Sequence, residues 1–234
     1  MGMGMNKGFT LVELLVTLVI SGLLMTAIYT AFKAQQDSYL AQEQVVEIQQ
    51  NLRAGLDILV HELRMAGYDV DQTGVKTGTA GITVANANNI TFTLVADDDG
   101  IDNDNADGDN DSTTGADEPG ELKTIQYRLY DAGGDGDNDL GRLVGTVAGN
   151  IRAVAENVEN LEFVYLDSAG AVTATLPDIR SVQISILARA ARPDRSFTSS
   201  QSYTTLSGAV WGPYADNFRR RFQTVTVQCR NMGL

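Results

Sequence analysis

The sequence predicts an α+β protein in which one long N-terminal α-helix, about residues 9–66, packs on an antiparallel β-sheet. Three observations predict it. The run Phe9–Phe32 is apolar enough to be helical inside a membrane. Ala41, Val45, Ile48, Leu52, Leu56, Leu59 and Leu63 then recur at spacings of 4, 3, 4, 4, 3 and 4, an apolar stripe at helical period. Beyond Gly67 the pattern changes to period two with turn residues between runs, which is strand periodicity.

The first run, GFTLVELLVTLVISGLLMTAIYTAF, follows an eight-residue leader, residues 1–8, that contains Lys7. Phe9–Phe32 is 24 residues long and carries one charge, Glu13. At about 1.5 Å per residue it spans roughly 36 Å, more than a bilayer core of roughly 30 Å. Lys7 is the last basic residue before Lys33, which places the leader on the cytoplasmic side. A carboxylate within such a segment costs on the order of 2.5–3.5 kcal/mol, so Glu13 needs a partner and marks a functional position.

The second part of the helix sets its stripe against a globular domain and exposes Gln, Glu and Asp on the other face. Gly22 and Gly55 are its weak points, and Gly67 is a natural C-terminal stop. No proline occurs before Pro119. Strands are expected at Gly81–Ala85, Ile90–Val95, Leu122–Tyr130, Arg142–Val147, Leu161–Asp167, Val182–Ala190 and Phe222–Arg230. The clearest is VQISILARA, where Val182, Ile184, Ile186 and Ala188 alternate with the other residues. Seven strands without long helices between them imply antiparallel pairing.

The net charge of −13 is local. Residues 97–121 hold eleven acidic residues, residues 131–139 hold four, and neither segment has a Lys or Arg. The rest of the chain carries 15 acids and 17 bases, so the folded body is close to neutral. No outward stripe of Lys and Arg with interleaved aromatics is legible, which argues against a nucleic-acid partner. The densest basic patch, Arg219–Phe222, reads as a solvated strand start or a contact between subunits.

Alternating Asp and Asn with Gly are the oxygen donors that calcium prefers. From Asp107 the spacing Asp107, Asp109, Asp111 and Glu118 matches an EF-hand loop in part. Ser112 stands where that loop needs glycine, and flanking helices are absent. Asp135, Asp137 and Asp139 form a shorter Asp-x-Asp-x-Asp run. Calcium in one or both loops is one expectation, and a solvated acidic surface is the other. Magnesium suits these loops less, because it keeps its waters and takes few protein ligands.

Catalytic chemistry has little to build on. His61 is the single histidine and lies outside the helical stripe, so it is expected at the surface. One Cys and one His make no zinc constellation. No G-x-S-x-G elbow or phosphate-binding G-x-x-x-x-G-K-[ST] occurs. Cys229 alternates with Val225 and Val227 and reads as a buried thiol, which leaves no intrachain disulfide. Trp211 reads as a packing anchor.

Gly8, Phe9 and Glu13 within G-F-T-L-V-E resemble the class III signal of type IV pilins and pseudopilins. The tail TVTVQCRNMGL and the segment AENVENLEFVYLDSAG are similar to PilW-like minor pilins, and the second is also similar to J-type pseudopilins of type II secretion. The resemblance implies a type IV pilin-like roll. Residues 1–8 become a prepilin leader, 9–32 a transmembrane and filament-core half-helix, and 33–234 a periplasmic or extracellular domain with acidic loops 97–121 and 131–139. It implies cleavage after Gly8 by a prepilin peptidase, N-methylation of Phe9, and pairing of Glu13 with the terminal amine of a neighbouring subunit. The implied protein is a non-enzymatic minor pilin that primes or joins pilus assembly. Its partners are other minor pilins and the major pilin, the peptidase, an inner-membrane platform and an assembly ATPase. The implied location is the inner membrane in a single pass, then a surface pilus. A J-type pseudopilin and a calcium-dependent tip adhesin stay open as alternatives.

Overall fold

Why the apolar stripe becomes a helix packed on sheets is visible in a computed structural model, which describes residues 8–68, 81–95, 122–134 and 136–232. The chain divides into two compact units, residues 1–44 and 45–234. Helix α1 spans Leu11–Met65, with Gln44 the last of its residues in the first unit. It starts two residues later than expected because Thr10 caps it. At the other end Gly67 takes a left-handed φ of 74°, the usual glycine stop, and its N–H donates to the Thr93 carbonyl at 3.0 Å.

Within the first unit the helix side chains from Leu11 to Leu40 are exposed, Leu23 at 68% and Met25 at 71% among them. Within the second unit the stripe does what its spacing predicts. Ile48, Leu52, Leu56, Leu59 and Leu63 are buried in one cluster with Ile90, Phe92, Ile125, Tyr127, Phe163, Ile184 and Val227. Each such side chain contributes about 1.5–3 kcal/mol by leaving water.

The strands are β1 (Gly81–Asn86), β2 (Asn89–Val95), β3 (Leu122–Tyr130), β4 (Asp139–Val144), β5 (Arg152–Ala155), β6 (Val158–Leu166), β7 (Ser181–Arg189), β8 (Tyr203–Thr204), β9 (Val210–Trp211) and β10 (Arg220–Gln228). All pairing is antiparallel, as expected. The single sheet expected from sequence is instead three: β1-β2-β3-β4-β5, β10-β7-β6, and the small hairpin β8-β9. β4 lies three residues earlier than expected, because Gly145 turns the chain with φ 78°. β5, β8 and β9 have four, two and two residues, too few for an alternating pattern to register.

Polar contacts fasten this second unit. The Glu62 carboxylate on α1 accepts from Arg142 Nε of β4 at 2.9 Å and from the Tyr127 hydroxyl of β3. Three arginines clamp the connection 191–218 to the ends of β7 and β10. Arg220, 1% exposed in its side chain, donates to Glu159 and to Asp216, both at 2.6 Å, and lies 3.8 Å from the Tyr214 ring centre. Arg219 donates to Asp194 at 2.7 Å and stacks on Phe197. Arg189 pairs with Asp137 and stacks on Phe218. The basic run at Arg219–Phe222 is therefore not a solvated strand start. Its first two arginines are internal fasteners, because Glu159 and Asp194, distant in sequence, converge on them with the nearby Asp216.

Candidate functional site

The candidate site is the start of α1. Phe9 is exposed, and Thr10 is the N-cap. Thr10 Oγ1 accepts from the Glu13 backbone N–H at 3.3 Å. The Glu13 carboxylate reaches back to the Thr10 backbone N–H at 2.9 Å and the Thr10 hydroxyl at 3.0 Å. This is a reciprocal capping box, and the sequence T-L-V-E carries its Thr-x-x-Glu signature. It satisfies two N–H groups that the first turn of a helix otherwise leaves unpaired. The acid in the first turn also opposes the positive end of the helix dipole, worth about 0.3–1 kcal/mol. Thr10 is the residue the sequence reading missed, although the box was legible.

Glu13 thus has an internal partner within its own chain, and Phe9 beside it is exposed. A Cβ added at Gly8 or Gly22 meets nothing within 4 Å. By length and composition α1 contains a stretch able to cross a membrane, close to the N-terminus, with none of that stretch buried.

The acidic candidates fare differently. Asp107, Asp109, Asp111, Glu118 and Asp135 lie outside the described residues. Asp137 is paired with Arg189, and Asp139 is buried with one carboxylate oxygen accepting from Asn157 N–H at 2.9 Å and the other from Ala132 N–H at 3.0 Å. A guanidinium in contact with Asp137 disfavours a cation at that carboxylate, so the described part of the second loop does not fit a calcium site. Among the described residues no group of three or more His, Cys, Asp or Glu is placed to hold a metal.

The reactive residues stand where their sequence neighbours suggest. His61 is exposed on α1. Cys229 is buried, and burial pushes its thiol up to about 11, away from nucleophilic use. Trp211 packs edge-on against Phe222 at 5.9 Å.

Comparison with known proteins bears on both ends of the chain. Residues 3–29 match a family model described as the prokaryotic N-terminal methylation motif. Residues 137–231 match one described as type IV pilus-assembly protein W. Among solved structures, a type IV-like pilin from Thermus thermophilus is similar at 16% identity and a TM-score of 0.49, covering 80% of this chain and 97% of that one. No curated protein matches.

Proposed function

We propose, for a chain that is a type IV pilin-like protein most similar to PilW-like minor pilins, a structural role as a minor subunit that primes or joins pilus assembly. The observation that carries the reading is the presence in one chain of the methylation motif at its start and a PilW-type region at its end. The exposed apolar helix supports it, since such a surface needs lipid or neighbouring helices to cover it.

In this reading a prepilin peptidase cuts between Gly8 and Phe9, and Phe9 becomes the methylated N-terminus. Glu13 then docks against the terminal amine of a neighbouring subunit, since a carboxylate in an apolar core is tolerable once a cation neutralises it. The subunit waits in the inner membrane with its C-terminal domain in the periplasm and then enters a surface pilus with other minor pilins and the major pilin. The role is structural, not enzymatic. A J-type pseudopilin of type II secretion is the second reading, and the PilW match over 137–231 favours the pilus. Calcium is proposed for residues 97–121 alone, on their pattern of oxygen donors, and with it the tip-adhesin variant of the role.

The test is Glu13→Ala beside Glu13→Gln. Mass analysis of the mature N-terminus reports cleavage, and electron microscopy reports pili. Cleavage is expected to persist in both variants while assembly drops. Normal piliation in Glu13→Ala removes the docking role. Rescue by Gln shows that the carboxamide serves as a cap and that the charge is not needed.

A further inference from the structure

Among the described residues the outer edge of β10 is open, and its surroundings specify what fits there. β10 pairs with β7 over nine residues without a register shift. The Ala190 N–H donates to the Arg219 carbonyl, and the Cys229 N–H donates to the Arg180 carbonyl. In an antiparallel ladder the hydrogen-bonded pairs alternate, so odd-numbered residues of β10 face β7. Phe222, Thr224, Thr226 and Gln228 therefore aim their N–H and C=O groups away from the sheet. Among the described residues nothing takes them up.

The other edges of the two larger sheets are blunted in the ways natural proteins use. β1 carries a register shift between Ile82 and Val84. β5 has four residues, and its partner β4 shifts between Leu140 and Gly141. β6 shifts between Val158 and Asn160, and its free side is engaged at Phe163 N–H by the Ala87 carbonyl and at Tyr165 C=O by the Thr173 N–H. β10 has none of these devices, no proline, and no charge from Phe222 to Gln228. The Tyr203 and Trp211 rings pack on the Phe222 ring, with centroids 5.7 and 5.9 Å away.

Charge selects the occupant. Arg221 and Arg230 are exposed at the two ends of the open edge, and neither makes an ion pair among the described residues. No acidic residue occurs from Asn217 to Leu234. A second copy of β10 laid antiparallel on the edge brings Arg221 of each copy near Arg230 of the other, which is unfavourable. We propose that β10 accepts an added strand from a different polypeptide, an extended segment with carboxylates near both its ends. Main-chain hydrogen bonds along Phe222–Gln228 supply affinity, and the two arginines set the preference for acidic ends. This inference does not rest on the assembly role of Glu13.

The experiment uses the full chain in detergent and two fluorescent nonapeptides of alternating Thr and Val, one ending in Glu at both ends and one in Lys. Anisotropy is expected to show the Glu-ended peptide binding about five- to tenfold more tightly, the effect of two exposed ion pairs. Thr224→Pro removes an outward N–H without touching the β7 ladder, as proline on an edge strand permits, and is expected to abolish binding at an unchanged melting temperature. Should that variant fail to fold, Arg221→Glu with Arg230→Glu is expected to reverse the peptide preference. Equal binding of both peptides, no binding of either, or indifference to these variants overturns the proposal. So does self-association of the chain that Thr224→Pro abolishes.

Discussion

Gly55 of α1 approaches β5 so closely that a Cβ built on it stands 2.7 Å from the Ala155 Cβ and 3.1 Å from the Val154 carbonyl oxygen. The residue that weakens the helix by propensity is the one that lets helix and sheet meet. Gly55→Ala gains up to about 1 kcal/mol of helix propensity and incurs about 1–3 kcal/mol of overpacking against atoms held by the backbone. The net expectation is destabilisation of about 1 kcal/mol in a thermal melt. A higher melting temperature for the variant contradicts the close contact.

Stability is expected to fall in alkali. Burial holds the Tyr127 and Tyr165 hydroxyls protonated well above the ordinary 10.0, and the Glu62 carboxylate adds to this at Tyr127. Above 10.0 the unfolded chain loses these protons and the folded chain keeps them, so the native state binds more protons and stability declines as pH rises. Below 10.0 the contribution is intact. Melting at about pH 11 against about pH 8 measures the drop, and Tyr165→Phe should shrink it. An equal drop in the variant assigns the alkaline loss to other groups.

Arg220→Lys tests the clamp. Burial works against the Arg220 charge, and the hydrogen bonds of Glu159 and Asp216 outweigh it and raise its pKa. Lysine keeps the charge but loses the planar fork and the stack on Tyr214. With the arginine side chain 1% exposed, a loss of about 2 kcal/mol is expected. Chemical denaturation reads it directly, and a change below about 0.5 kcal/mol means that the clamp is dispensable.

Calcium titrated into the full chain should give saturable heat that Asp107→Ala with Asp109→Ala removes. Asp137→Ala should leave that heat unchanged, because Arg189 already occupies the carboxylate. No heat at all reduces residues 97–121 to a solvated acidic surface. Loss of heat in Asp137→Ala moves the metal to the second loop.

Sequence periodicity carried the helix and seven of the strands because burial is what sets the period. Ile48 to Leu63 sit in the core as their spacing required, and VQISILARA became β7 within one residue. The division into three sheets was not legible, since alternation reports a buried face and not which strand pairs with which. Arg220 shows the same limit for charge: Glu159 is 61 residues away along the chain, so a run of three arginines read as a solvated strand start or a contact between subunits. At the candidate site Glu13 stood out for its apolar surroundings. Its capping partner Thr10 lay three residues away and was overlooked in favour of a partner in another subunit.

The single thiol at Cys229 is buried, so no covalent cross-link ties this domain together. Its long connection 191–218 is held by guanidinium groups stacked on rings and paired with acids. Folding of the domain therefore waits on no thiol oxidase and is indifferent to reductants in its surroundings.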